Sequence, residues 1–379
     1  MNIRRKIFFK NLIFFLKQET VLVVASMLAI VSCFFVTPSR QYLDYIDFRV
    51  LALLFCLMLI VSGFRHIGFF AFISKQLFAF IHTLRMAVFV FILLCFFCSM
   101  LITNDVALIL FVPLSLFMLK DFLTEKLTIF LLVFETLAAN LGSMFTPIGN
   151  PQNLYIFSSY NFRLLHFFQI MAPYTLVSFV LLILCTFLFP KTALEDDVIP
   201  AKRFVNENLT LHYSCYLILF ILVLLTVVRL IPYTITLSVC VIVIALLKPA
   251  LFKKVDYYLL LTFMAFFIFV GNMGHIESIK NFITHLTQGN EFSLGIVLSQ
   301  FISNVPATLL LSDFTDNASS LLIGVNLGGL GTIIASMASL ISYKFYAAEK
   351  KYRILPYFLW FTLFNIAFLA VLVLTYVIL

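Results

Sequence analysis

Two short phrases, two hundred positions apart, read alike. Ser99, Ile102, Asn104, Ala107 and Leu110 are matched in register by Ser299, Ile302, Asn304, Ala307 and Leu310, and Thr103 is matched by Ser303. Each phrase sets small polar groups inside a long apolar stretch. Hydrocarbon offers no water to solvate such groups, so the fold itself has to satisfy them. Recurrence in both halves of the chain predicts two equivalent segments and a site built where they meet.

Of the 379 residues, 63% are hydrophobic and only 11% charged, against about 25% charged in an ordinary soluble domain. The fold class is therefore an all-α polytopic membrane protein. Residues 1–19 mix apolar residues with Arg4, Arg5, Lys6, Lys10 and Lys17, with no A-x-A-like cleavage site after them. They read as a basic interfacial N-terminal helix on the cytoplasmic face, not a signal peptide. The net charge of +8 does not imply a nucleic-acid partner, because the basic residues lie in the connections between apolar runs. Cys95 and Cys98 are spaced like half a zinc site, but no second pair accompanies them. His66, His82, His166, His212, His275 and His285 show no ligand spacing. No transition metal and no cofactor is expected, and the 47 phenylalanines read as lipid-facing bulk.

Apolar runs of spanning length occur near 20–37, 46–63, 127–141, 169–189, 211–231, 233–247, 256–272 and 354–379. Residues 86–119 are also apolar, but one helix of that length, at about 1.5 Å per residue, would overrun the roughly 30 Å hydrocarbon core. Thr103-Asn104-Asp105 interrupts them, which predicts two helical arms meeting at a polar tip. Residues 291–313, around Ser303-Asn304, read as a second such re-entrant hairpin. With both stretches returning to the side they left, Arg65, Lys75, Arg85, Lys248, Lys253, Lys254, Lys350, Lys351 and Arg353 all fall on the cytoplasmic side with the N-terminus. Any other assignment breaks the positive-inside rule. The C-terminus then lies outside.

After each hairpin comes a helix broken by glycine or proline: Gly142 to Gly149 with Pro147, and Gly324 to Gly331. The outer glycines of the two loops are equally spaced, which suggests that they correspond. Broken backbone at membrane depth is tolerated only where it lines a site. Asn150-Pro151 reads as an N-cap with proline at the first helical position. The expected organisation is an inverted repeat of about nine full spans and two hairpins. Repeat one covers 20–190, with hairpin 86–119 and broken helix 127–160. A cytoplasmic linker and connecting span cover 191–231. Repeat two covers 232–379, with hairpin 291–313 and broken helix 319–345.

Four half-helix N-termini, after Asn104, Asn150, Asn304 and Gly331, would then approach the bilayer centre. Each presents free N–H groups and a partial positive charge, so together they suit an anion without any arginine. Thr103, Asn104, Thr146, Asn150, Ser303, Asn304 and Thr308 are the candidate substrate ligands. Oxygen donors for a coupling cation are sought among Ser99, Thr103, Asn104, Asp105, Gly142, Gly149, Ser299, Ser303, Asn304, Gly328 and Gly331. The competing reading of the hydroxyls is back-bonding to their own helices, with glycine serving close packing. Asp105 breaks the symmetry against Val305 and would complete a cation site or carry a proton. Glu135 is the other acid deep in an apolar run.

These residues resemble the ion transporter superfamily, which includes divalent-anion:sodium symporters, citrate transporters, the arsenite-pump membrane subunit and D-type sodium/proton antiporters. The tips Thr103-Asn104-Asp105 and Ser303-Asn304-Val305, and the run Thr146-Pro147-Ile148-Gly149-Asn150-Pro151, carry the likeness. It implies that Ser99, Thr103 and Asn104 border one cation site with the first loop, and Ser299, Ser303 and Asn304 another with the second. It also implies a homodimer whose transport domain moves as an elevator. The third tip residue, Asp or Val, departs from the Thr of the dicarboxylate symporters and leans toward the arsenite-pump and antiporter side. The expected function is secondary active transport of a small anion, a carboxylate or inorganic oxyanion, across the cytoplasmic membrane, coupled to Na⁺ or H⁺. The alternative is a Na⁺/H⁺ antiporter or metalloid efflux carrier that uses Asp105. A lipid-modifying membrane enzyme is the remote reading, since no loop offers a nucleophile, base or metal set.

Overall fold

The computed structural model describes residues 19–70, 72, 81–194, 209–348 and 353–379. The expected interfacial helix at the N-terminus falls almost wholly outside them, as do Lys75, Lys350 and Lys351. The described chain is helical: α1 Thr20–Ser32, α2 Phe48–His66, α3 Leu84–Ile102, α4 Asn104–Leu119, α5 Glu125–Ser143, α6 Pro151–Ser159, α7 Leu164–Thr186, α8 Leu209–Val227, α9 Tyr233–Leu247, α10 Tyr257–His275, α11 Glu277–Thr287, α12 Glu291–Ile302, α13 Asn304–Ser312, α14 Ala318–Leu327, α15 Met337–Ala348 and α16 Ile354–Ile378. Among the described residues, six helices (α2, α3, α5, α7, α10 and α16) are long and apolar enough to cross a membrane. Several start on a side-chain cap that satisfies a free N–H. Asp47 accepts from Val50 N, Thr83 from Met86 N, Asp256 from Leu259 N and Asn317 from Ser320 N.

The helices pack in two groups. In the first, α1 lies along α10, and α2 packs against α8 and α9. In the second, α3 and α4 fold back on each other and onto α5, while α12 and α13 do the same against α14. The helix α5 lies at the centre, with 89% of its spanning window buried, whereas α16 has 22% buried and turns most of its surface outward. Contacts recur in matched pairs: α4 packs on α15 as α13 packs on α6, and α2 packs on α9 as α10 packs on α1.

The two groups meet less evenly. α10 packs against α13 and α2 against α6, while the matching pairs, α2 with α4 and α10 with α15, make at most marginal contact. A cavity of about 440 Å³, lined in part by Asp47, Tyr155, Phe267 and Asp313, lies at this seam. The surface helix α11 is bound to it through Ile279 and Ile283, which pack against Val270, Met273 and Phe314.

The aromatic excess is not simply lipid-facing. Phe91, Phe111, Phe134, Phe167, Phe263 and Phe361 are fully buried, and Phe134 meets Phe364 edge-on with centroids 4.7 Å apart. Long helices need large side chains to fill the space between their axes, and edge-to-face rings do so with added attraction. Phe34, Phe117, Phe187 and Phe301 do face outward.

Candidate functional site

The two tips are built alike at the backbone. α3 ends at Thr103 with φ 72° and ψ 151°, and α12 ends at Ser303 with φ 73° and ψ 155°. This region is almost reserved for glycine and costs a β-branched residue of order 1–3 kcal/mol. It turns the chain back so that α4 and α13 begin on the next residue. The first N–H of each returning arm is taken by the neighbouring broken helix: Asn104 N donates to Gly149 O at 3.2 Å, and Asn304 N to Ala335 O at 3.0 Å.

Hydroxyls tie the loops to the outgoing arms in the same pattern. Thr146 Oγ1 donates to Met100 O, and Thr332 Oγ1 to Gln300 O. Ser99 backs onto Gly142, where a Cβ would collide with Phe96 O and come within 2.7 Å of Ser99 Oγ. Ser299 backs onto Gly328, where a Cβ would meet Gly295 O and Ser299 Oγ at 2.7 Å.

These contacts correct the expected register of the second loop. The partner of Gly142 is Gly328, not Gly324, and the partner of Gly149 is Ala335, not Gly331. Consequently α15 starts at Met337, after a break over 328–336, and not just beyond Gly331. Gly331 instead makes room for Gln300. At φ 112° it sits against that side chain, where a Cβ would not fit. Gln300 Nε2 donates to Gly328 O and Leu330 O, each at 2.9 Å, and Gln300 Oε1 accepts from Thr332 N. The first half has Met100 in that place, and its shorter loop is held instead by Asn153 Nδ2.

Two residues that the pattern of tips and loops did not single out hold the halves together. Asn104 Nδ2 donates to Asn140 Oδ1 at 2.9 Å, and the same oxygen accepts from Ser336 Oγ at 3.0 Å. In mirror fashion, Asn150 Nδ2 donates to Asn326 Oδ1 at 3.2 Å, while Asn326 Nδ2 donates to Asn153 Oδ1 at 2.7 Å. Asn140 and Asn326 each stand two residues before the glycine that abuts a tip helix. The tripeptide Asn140-Leu141-Gly142, repeated as Asn326-Leu327-Gly328, was the signal available for both.

The remaining candidates fall into place around this lattice. Asn150 caps α6, accepting from Asn153 N, with Pro151 at the first helical position. Asn153 Nδ2 in turn donates to Ser143 O, Met144 O and Thr146 O, which fixes the first loop. Ser99 Oγ donates to Phe96 O and Ser299 Oγ to Gly295 O, so each proton is spent on its own helix and only lone pairs face the glycine. Thr308 also back-bonds, to Asn304 O at 2.7 Å, one turn behind the tip. Asp105 N–H is held by Asn104 Oδ1 at 3.0 Å, while Asp105 Oδ1 is buried without a hydrogen-bond partner.

The helix starts at Asn104, Pro151, Asn304 and Met337 therefore gather around one network of amides and hydroxyls. No lysine or arginine occurs within 99–110, 142–150, 299–310 or 324–336. Within these segments positive potential comes from N–H groups and helix ends. Among the described residues, no group of three or more His, Cys, Asp or Glu side chains is placed to hold a metal ion, and the seven cysteines are free.

The model of the citrate transporter family, CitMHS, matches residues 12–321. The chain belongs to the citrate transporter family. It is similar to an uncharacterized transporter of Methanocaldococcus jannaschii, 36% identical over 78% of this chain and 80% of the relative. The inner membrane protein YbiR of Escherichia coli is 33% identical over 78% of this chain and 79% of its own length. An uncharacterized transporter of Mycobacterium tuberculosis is 28% identical over 69% of this chain and 66% of its own. This citrate transporter family member is thus a multi-pass membrane transporter and not an enzyme.

Proposed function

We propose that this chain is a secondary active transporter that moves a small anion, a carboxylate or inorganic oxyanion, across the cytoplasmic membrane, coupled to Na⁺ or H⁺. The observation that carries this reading is the convergence of four helix starts on two matched tips whose segments contain no lysine or arginine. Oriented N–H groups bind an anion at modest desolvation cost and release it readily. Thr103, Asn104, Asn150, Ser303 and Asn304 would hold the substrate. The lone pairs of Ser99 and Ser299, with the loop carbonyls beside Gly142 and Gly328, would serve the coupling ion.

The matched contacts support reading the two halves as an inverted repeat whose hairpins re-enter from opposite faces, with Arg65, Arg85, Lys248, Lys253, Lys254 and Arg353 on the cytoplasmic side. In that orientation α6 and α13 form the outer half of the body that carries the tips. Their packing against α2 and α10, without the matching inner contacts, fits a state closed to the outside. An elevator movement of that body, in a homodimer, would exchange one set of contacts for the other.

Purified protein in liposomes, loaded with a panel of carboxylates and oxyanions under separate sodium and proton gradients, tests the assignment. Ion-gradient-driven uptake of at least one anion is expected, with the same anion raising the unfolding temperature. Absence of both across the panel, with a response to Na⁺ or pH alone, would favour cation/proton antiport or neutral metalloid efflux. The unpartnered oxygen of Asp105 is the specific observation behind that second reading. Asp105→Asn separates the two: antiport should be lost, whereas anion uptake coupled at the hydroxyl sites should persist.

A further inference from the structure

Glu135 lies in the middle of α5 with no exposed surface, and neither carboxyl oxygen has a hydrogen-bond partner. Ser115 of α4 sits beside it, yet Ser115 Oγ donates to Val112 O at 3.0 Å. Cys95 of α3 lies near it. The basic side chains on the surrounding helices are occupied elsewhere. Arg85 donates to Phe187 O and Phe189 O, Lys126 lies over the Phe130 and Trp360 rings, His166 packs against Phe162, and Lys344 is exposed. α4, α14 and α16 carry none.

Packing does not require an acid there. In the register that pairs Gly142 with Gly328, the position equivalent to Glu135 is Leu321, itself fully buried. An ion buried without a partner costs several kcal/mol, where an apolar side chain of similar size costs nothing.

A file of hydroxyls runs along α15 and α16 past this stretch of α5. Ser336 Oγ donates to Asn140 Oδ1, and Ser342 Oγ donates to Leu132 O at 3.3 Å. Ser339 therefore faces the segment of α5 between them, and its buried Oγ has no partner. Ser342 Oγ accepts from Tyr357 OH at 3.0 Å, the Tyr357 ring stacks on Tyr346, and Tyr346 OH is shared between Arg353 O at 2.8 Å and Glu125 Oε1 at 3.2 Å. Glu125 is at the start of α5, half-buried, beside Arg353 on the side read as cytoplasmic.

We propose that Glu135 is a proton-binding site inside the body that carries the tips, exchanging its proton toward the cytoplasmic end of α5 by way of the hydroxyls of Ser339, Ser342 and Tyr357. The proton adds to the carboxylate and leaves from the carboxyl, with no other reactant. This deepens the transport reading, on which it rests for its coupling role: a body that moves with Glu135 protonated carries one charge fewer through the membrane.

Infrared difference spectroscopy of the reconstituted full chain between acidic and alkaline pH tests the site without any substrate. A protonated-carboxyl C=O band that titrates in the wild type is expected to vanish in Glu135→Gln and in Glu135→Leu, the residue of the equivalent position, and to remain in Asp105→Asn. Ser339→Ala and Tyr357→Phe should keep the band but slow its appearance after a pH jump. In the uptake assay, Glu135→Gln should abolish dependence on the proton gradient. Persistence of the band in both Glu135 variants overturns the site. So does wild-type uptake whose proton dependence survives Glu135→Gln. If the wild type takes up no anion while the band behaves as expected, the proton site stands and the anion reading fails.

Discussion

Thr103 and Ser303, two hundred residues apart, hold the same left-handed extended backbone, φ 72° and ψ 151° against φ 73° and ψ 155°. Neither is glycine, and both sit where a helix arm reverses into the next. Strain kept twice in the same geometry marks positions where the side-chain hydroxyl has a use that glycine would not serve.

Thr103→Gly and Ser303→Gly should therefore separate stability from function. Removing the strained Cβ offsets the added freedom of the unfolded chain, so the unfolding midpoint is expected to hold or rise, by up to about 1 kcal/mol in stability. Transport should fall. Thermal unfolding in detergent alongside uptake in liposomes reads both; unimpaired uptake in the two variants would remove the hydroxyls from the site.

Gly142 and Gly328 are placed to let the tip helices touch the broken ones. Gly142→Ala and Gly328→Ala would push a Cβ into Phe96 O and Gly295 O respectively, a backbone clash that costs about 1–3 kcal/mol or more. Gly274→Ala meets nothing within 4 Å and lies in α10. It should be neutral or stabilising by about 0.5–1 kcal/mol. Folded yield by size-exclusion chromatography and unfolding midpoints would show the contrast, and equal effects at all three positions would refute it.

Asn140→Ala strips the shared acceptor from Asn104 and Ser336, and Asn326→Ala leaves Asn153 Oδ1 without its donor and Asn150 Nδ2 with Ser143 Oγ alone. Each should destabilise by about 1–3 kcal/mol, the penalty for buried polar groups left unpaired. The double variant is expected to cost less than the sum if the two amides support one another through the shared network. Additive losses in denaturant titrations would show two independent anchors.

Tyr155 on α6 and Phe267 on α10 pack with ring centroids 5.6 Å apart across the seam between the two helix groups. Tyr155→Cys with Phe267→Cys, in a background freed of native cysteines, should cross-link with a short thiol reagent. Uptake should then stop and return on cleavage of the linker. Full activity in the cross-linked protein would show that this seam does not open during transport.

Much of the fold was legible because hydrocarbon leaves few choices. Apolar runs must become helices, and the interruption at Thr103-Asn104-Asp105 must be a turn, since one helix through 86–119 would be too long. The capping role of Asn150-Pro151 followed from local chemistry and appears in α6 as read. The register of the second loop did not follow. Equal glycine spacing favoured Gly324–Gly331, but Gly324 serves helix contact with Phe292 and Gly331 serves Gln300, so glycines of different purpose were aligned with one another. The shorter match, Asn140-Leu141-Gly142 with Asn326-Leu327-Gly328, carried the true register.

By itself the sequence determined that this chain is a helical membrane protein, where its apolar runs break, and that the breaks come in pairs, because each depends on local composition against a fixed bilayer thickness. Tertiary structure alone decided which hydroxyls are consumed by their own helices and which amides cross between the halves. It also decided that Glu135 and Ser339 lie buried and unpartnered. Those outcomes depend on how helix faces meet across distant parts of the chain, and the pattern along any one helix does not contain them.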